Sequence, residues 1–488
     1  MITRAELLKI VDSRNVCDEQ VTHNTYLENM SFVNPLRPEY IVRPHNADEI
    51  QRIVKLANDR GTPLVPVSSG PLHFRGDTVP SLGGAIIVDL SGMKKIMYID
   101  QVRRVAIVEP GVTFYELIPE LKREGLRLNM PLLPRKSKSV VASMLEREPV
   151  IMPKYHWDIG DPLACVEVIF GNGEMFRTGQ AAGPGTLEEQ REAGGAQKEA
   201  AGPAQASLHR LIQGAQGTMG IVTWASFRCE LLPRIEEPFL IGSSQLSKIL
   251  EMLHWLVRLR LVNECFVLNC SNMSAILARE WPHDYHNLKD MMSNWILFFN
   301  LAGYDYLPEE RVNYQIKDIL DIAQRVGVEV TKAIGKVSAN DILSVAQWPS
   351  EDPYWRLRYK GACHDIFFLT IYDRLPELVS TMFNTVDEAG YPATDLGIYL
   401  QPVVQGTSCH CEFNLFYDPE DPHEVDRIKL LSTNAIKRLM AKGAFFSRPY
   451  GESANIVVNR DAATLIALKK VKSFLDPNNI MNPGKLYS

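Results

Sequence analysis

The chain has 488 residues, with 52 Lys and Arg against 58 Asp and Glu, a formal net charge of −6, and 45% hydrophobic and 23% charged residues. These proportions are those of a globular protein and exclude a disordered one, and about 150 residues per domain predicts two or three domains. A mildly acidic chain has no basic field to neutralise phosphates, which excludes a dedicated nucleic-acid binder.

The N-terminus lacks an apolar targeting segment, and no apolar run approaches the roughly 18 residues that span a bilayer. The eight cysteines (17, 165, 229, 265, 270, 363, 409 and 411) are scattered without a CxxC pair. That spacing predicts neither an iron–sulfur cluster nor a structural zinc on this chain, and it reads as reduced, cytoplasmic usage.

In chain order, the first 40 residues read as an N-terminal extension. Asn46 caps a helix whose apolar positions Ile50, Ile53, Val54 and Ala57 recur at helical spacing, and Gly61 and Pro63 end it. Residues 64–67 form a short buried strand, 68–76 a turn-rich loop and 85–90 another strand. Strands follow at 96–99 and 105–109, then a capping box, Thr113 to Glu116, opens a helix that closes near Gly125. Residues 166–178 read as a hairpin on Asn172-Gly173, a pair suited to a two-residue primed turn.

Residues 181–206, rich in Ala, Gly, Glu and Gln, read as a surface excursion without fixed structure. Leu232-Pro233 marks a domain edge. From about 240 to 435, helices (246–260, 312–326, 375–389) alternate with strands (294–301, 366–372, 410–417), an α+β layer pattern. A helix over 424–442 and a terminal helix complete the chain.

The loop 68–76 joins two strands, so it is not the fingerprint in which a glycine run opens a helix. A Ser/Gly loop of this kind still cradles a pyrophosphate where its N–H groups converge. His73 and the cluster Arg135-Lys136-Ser137-Lys138 read as a solvated basic face.

Six segments in order carry a resemblance. They are Pro66-Val-Ser-Ser-Gly70 with Gly76; Val108-Glu-Pro-Gly111-Val-Thr113; Glu167-Val-Ile-Phe-Gly-Asn-Gly-Glu-Met-Phe-Arg-Thr-Gly179; Gly217-Thr-Met-Gly220-Ile221-Val222-Thr223; Asp476-Pro-Asn-Asn-Ile-Met-Asn482-Pro-Gly-Lys485; and, ahead of them, Arg43-Pro44 with its helix. Together they resemble the FAD-binding fold of the vanillyl-alcohol oxidase / p-cresol methylhydroxylase family, relatives of the glycolate oxidase and D-lactate dehydrogenase flavoproteins. The resemblance implies an α+β protein: a two-subdomain FAD-binding domain (1–232, with 436–488 returning to it) and a cap domain with an antiparallel sheet (233–435).

It also implies FAD held by Pro66, Ser68, Ser69, Gly70, Arg75, Gly76, Ser139, Ser143, Gly217, Gly220, Ile221, Val222, Arg448 and Asn482. The chemistry it implies is hydride transfer from a C–H bond to the flavin, on a small-molecule substrate. Electrons then leave to oxygen or to an iron–sulfur, cytochrome or electron-transfer flavoprotein partner, and a homo-oligomer is expected.

Asp158 aligns with a carboxylate that accepts the substrate proton, and equally suits a turn before Gly160. Arg448 aligns with an arginine that offsets negative charge on the reduced flavin, and Tyr450 stands nearby. His410 lies on a strand whose register is open by one residue, which would select Cys411 instead. The family's metal-binding Gly-Glu-His is replaced by Arg448-Pro449, so no metal is expected.

Four departures bear on the substrate. Arg75 and Ser447 stand where the phenol oxidases have tyrosines, and Leu72 replaces the loop asparagine. Ser139-Val-Val-Ala-Ser143 replaces a glycine-rich motif. Pro71 stands where some relatives link flavin through histidine. A pocket with Arg75 suits a carboxylate, which predicts oxidation of a 2-hydroxy acid or another carboxylated alcohol. The rivals are a 4-alkylphenol oxidase and a flavin electron-transfer subunit without its own substrate.

Overall fold

The computed structural model describes residues 2–18, 20–153, 162–202 and 207–486, with 20–23 and 452 described by backbone alone. Asp158 lies outside them.

A small sheet of four strands opens the fold, in the order Val16–Cys17, Tyr40–Val42, Ile86–Asp89, Leu64–Val67. The last three are parallel, joined by helix Ala47–Arg60. The Asn46 side chain accepts the Glu49 N–H, Gly61 ends the helix at φ 61°, and Ile50, Ile53, Val54 and Ala57 face the sheet.

A second, antiparallel sheet runs Ile96–Asp100, Val105–Val108, Gly220–Leu231, Leu163–Phe170, Met175–Arg177, with Leu126–Leu128 paired to the end of its long central strand. Its hairpin differs from the predicted primed turn. The Gly173 N–H bonds to Phe170 O at 2.8 Å, and only Gly173, at φ 82°, is left-handed. The loop thus has three residues, 171–173, closed by a left-handed glycine.

The third sheet has six antiparallel strands in the order Ile235–Ser243, Trp295–Gly303, Glu264–Asn269, Leu396–Val403, Ser408–Tyr417, Ala362–Thr370. Helices Leu246–Arg258, Pro308–Val326, Leu375–Glu388 and Pro422–Ala441 pack on one face and form the largest core with Cys409, Cys411, Phe413 and Leu415. Alternation along the strand sends His410, Glu412 and Asn414 to the other face, toward the first two sheets. His410 pairs with Leu369 and Gln401, and its neighbour Cys411 faces the helical core.

Arg127, on strand Leu126–Leu128, ties the second sheet to the third. Its Nη1 donates to Glu264 at 2.6 Å and Glu236 at 3.0 Å. The alanine-rich excursion is packed where described: Leu187 and Ala200 are buried, and Gln197 O accepts the buried Ser226 hydroxyl at 2.6 Å. Composition misread it because small side chains are held here by backbone contacts rather than by apolar bulk. The chain has an α+β fold. No helix among the described residues is long and apolar enough to cross a membrane.

Candidate active site

Strand Leu64–Val67 delivers the loop 68–76 to the mouth of a cleft between the first two sheets. The loop is fixed from outside. Its Gly70 N–H donates to Ser137 O at 3.0 Å, and Arg135 Nη1 donates to Gly70 O at 3.0 Å. The Ser139 N–H donates to Ser69 Oγ at 3.1 Å, leaving the Ser69 O–H to donate into the cleft. Ser139 Oγ bonds Pro110 O at 2.6 Å and caps helix Val140–Leu145.

The opposite wall is the run 214–222. Gly217 sits at φ 72°, where a Cβ would lie 2.5 Å from Pro66 Cγ, and a Cβ on Gly220 would lie 2.5 Å from Ile169 O. Bare backbone therefore faces the cleft there. The C-terminal turn clamps both walls. The Asn482 amide donates to Gln216 O at 2.7 Å and Asp77 O at 2.8 Å, while its backbone N–H reaches Leu64 O at 2.8 Å.

The cleft encloses about 1310 Å³, open to solvent at one side. Of the residues the sequence assigned to the cofactor, Pro66, Ser68, Ser69, Arg75, Gly217, Gly220, Ile221 and Val222 line it; Gly70, Gly76, Ser139, Ser143, Arg448 and Asn482 are not in its lining. His73, Arg135 and Lys138 also line it, so the predicted solvated basic face is not one. Lys138 and His73 are buried, and of that cluster only Lys136 is exposed. The loop folds the cluster inward because Arg135 serves its carbonyls.

One end of the cleft carries a dense charge network. Arg75 lies 3.4 Å from Glu148 and 3.9 Å from Glu146, and Lys138 lies 2.6 Å from Glu146 and 3.7 Å from Glu148. Ser143 Oγ donates to Glu148 at 2.6 Å. Burial pushes both carboxyls up. At Glu148, Lys138 and Arg75 outweigh it and hold the group down at about 2, whereas Glu146 stays raised by burial.

Beyond them, Arg356 bonds both Asp365 and Glu412, at 2.5 Å to the latter, and the Asn414 amide bridges the same two carboxylates at 2.7 and 2.8 Å. His410 is 1% exposed, its Nε2 3.3 Å from Glu412, and burial takes it down to about 4 despite that carboxylate. It packs against Phe367 and Tyr399 and is not in the cleft lining.

Arg448 is buried, with its guanidinium 4.5 Å from the Phe367 ring, and Tyr450 lines the cleft beside Arg75. The structure thus gathers Arg75, Arg448, Tyr450 and His410 at one end. Sequence reasoning missed Glu146, Glu148, Tyr354, Arg356, Asp365 and Glu412 there. Only Glu412, two residues from His410 on the same strand face, carried a readable signal.

The cleft suits an elongated ligand with a charged middle and flat ends. The serine hydroxyls and Arg135 are donors of the kind a pyrophosphate takes, and Leu145, Ile212 and Ile221 offer apolar wall. Two buried atoms in its wall, Arg75 Nη1 and Glu146 Oε2, have no hydrogen-bond partner. Among the described residues no group of three or more His, Cys, Asp or Glu is placed to hold a metal.

Comparison with known proteins agrees with this geometry. Residues 38–179 match the family described as FAD binding domain, and residues 452–486 match FAD linked oxidases, C-terminal domain. The chain is 22% identical to D-lactate dehydrogenase [cytochrome], mitochondrial, of Arabidopsis thaliana, over 92% of this chain and 73% of that one. It is 21% identical to the glycolate oxidase subunit GlcD of Bacillus subtilis, over 100% of this chain and 98% of that one. The crystal structure of p-cresol methylhydroxylase with substrate bound superposes with a TM-score of 0.85 at 20% identity, covering 99% of this chain and 97% of that one. The chain therefore carries an FAD binding domain and the C-terminal domain of FAD linked oxidases on the fold of p-cresol methylhydroxylase, and its cofactor is FAD.

Proposed function

We propose that this oxidoreductase removes a hydride from the hydroxyl-bearing carbon of a carboxylated alcohol, such as a 2-hydroxy acid, and releases the matching carbonyl. The observation that carries this reading is Arg75, whose buried Nη1 lacks a hydrogen-bond partner in the cleft wall beside Tyr450. A substrate carboxylate supplies the missing acceptor, and a charge-assisted bond fixes the carbinol carbon. Bound FAD supplies the two-electron acceptor for the hydride.

The substrate hydroxyl gives up its proton as the hydride leaves. We assign that proton to Asp158 or to His410, which lies behind the charged end beside Glu412. Arg448 adds fixed positive charge at the same end of the cleft. We further propose that residues 1–232 with 436–488 form the FAD domain and 233–435 the cap. Electrons pass to oxygen or to an iron–sulfur, cytochrome or flavoprotein partner, in a cytoplasmic homo-oligomer. The eight free thiols suit a reducing compartment.

A second reading, oxidation of 4-alkylphenols, is favoured by Tyr354 and Tyr450, which both line the charged end. Anaerobic reduction of the purified yellow protein separates the two. Bleaching by 2-hydroxy acids supports the first reading and bleaching by 4-alkylphenols alone the second. Bleaching only by a redox partner would identify an electron-transfer subunit, and failure to take up FAD would sink all three.

A further inference from the structure

A second chamber lies behind the charged end of the cleft, about 800 Å³ of space counted with its opening to solvent. The two cavities share Phe74, Arg75, Asp365 and Tyr450 as wall residues, so a single layer of side chains divides them. Arg75 is the centre of that layer, its guanidinium 4.7 Å from the Phe367 ring and 5.0 Å from the Tyr450 ring.

The chamber's walls are of two kinds. Phe32, Val33, Ile366, Ile436, Phe446 and Ile456 give an apolar surface drawn from the N-terminal segment, the cap sheet and two helices. His364 is part of this surface. It stacks 4.8 Å from Phe32, its Nε2 meets Ser432 Oγ at 2.7 Å, and burial takes it down to about 4, so it adds no charge at pH 7. The charged wall residues are Arg75, Arg448 and Lys429 against Asp365, and Asp365 is already engaged by Arg356 and Asn414. A chamber whose apolar residues are interspersed with the hydroxyls of Ser31, Ser432, Thr433 and Ser453, and which is cationic at the partition, fits an anion with an apolar body.

We propose that this chamber holds the apolar tail of the substrate, whose hydroxyl-bearing head and carboxylate lie at the Arg75–Tyr450 partition. The substrate class is then a medium-chain 2-hydroxy acid rather than a two- or three-carbon one. The inference rests on the reading above in requiring a carboxylated alcohol. It goes beyond that reading in placing the tail, and burial of each methylene against the apolar wall drives the selection.

The test uses the FAD-loaded protein and unreactive straight-chain carboxylates from acetate to decanoate, with binding followed by calorimetry. Affinity is expected to rise about fourfold with each added methylene until the chamber is full. Thr433→Trp and Ile456→Trp each fill the chamber from a different helix, and decanoate should lose its advantage over acetate in both. Equal affinity across the series in the unaltered protein, or an advantage that survives in both filled variants, overturns the proposal.

Anaerobic bleaching keeps its failure distinct from that of the function. Bleaching by lactate with no chain-length preference in binding overturns the chamber and leaves the reaction. A chain-length preference with no bleaching by 2-hydroxyoctanoate or lactate supports the chamber and overturns the reaction.

Discussion

Arg75 and Arg448 lie against one aromatic ring, their guanidinium carbons 4.7 and 4.5 Å from the centroid of Phe367. Two like charges at one ring raise the cost of keeping both. Burial first, and the charge of Arg75 second, lower Arg448 to about 10. The aromatic face, Glu148 and Glu412 offset part of that cost. An anion arriving at this end would relieve it further, in competition with the Glu146 and Glu148 carboxylates already beside Arg75.

Arg75→Ala should therefore raise KM for a carboxylated substrate by about 100-fold, the scale of losing one partner of a buried charged contact. The flavin-to-protein absorbance ratio should change little, because the loop is held by Arg135 and Ser137. Arg75→Lys should recover only part of the loss, since an ammonium lacks the planar fork. Steady-state kinetics at saturating acceptor read both effects.

Lys138 stands between two half-buried carboxylates, Glu146 and Glu148. Lys138→Met leaves Glu146 and Glu148 facing each other and should destabilise the protein by about 3 kcal/mol. Adding Glu146→Gln removes one of the uncompensated charges and should restore part of that. The two single variants and the double variant, compared by thermal melting, give the coupling directly; additive effects would refute it.

Three buried histidines, His73, His364 and His410, are each lowered by burial from 6.5 to about 4. Between those values the unfolded chain binds protons that the folded chain does not, so stability rises with pH through this window. Acidifying from pH 6.5 toward 4 should progressively lower the melting temperature. Each histidine contributes up to about 3 kcal/mol at the low end. Above pH 6.5 the three contribute no slope. His364→Gln should flatten the profile, measured as melting temperature against pH.

The C-terminal clamp should govern cofactor retention. Asn482→Ala removes the amide that joins Gln216 to Asp77. Gly217→Ala forces a left-handed alanine into Pro66, costing at least about 1 kcal/mol. Both should lower the FAD retained through gel filtration, and Asn482→Asp, which keeps the shape but not the donors, should not rescue it. Full retention in both variants would refute the clamp.

Much of the first two sheets was legible because its signals are local, though the short strands Val16–Cys17, Tyr40–Val42 and Leu126–Leu128 were not read. Asn46, the Thr113 capping box and the apolar runs specify their elements without help from the rest of the chain. The strands Ile235–Ser243, Glu264–Asn269 and Leu396–Val403 were not read, because buried apolar runs of that length do not announce their period. Arg75, Arg448 and Tyr450 were found through their motifs, whereas Arg356, Asp365 and Glu146 sit in segments with no motif and meet only in three dimensions. Asp158 lies outside the described residues.

The Leu64 N–H donates to Ile480 O and its carbonyl accepts the Asn482 N–H, both more than 400 positions further along the chain. During synthesis all six strands of the third sheet are made before the residues that close the cofactor cleft. A nascent chain stalled after that sheet has left the ribosome but before residue 480 has been made should carry the sheet folded and have no capacity to keep a flavin.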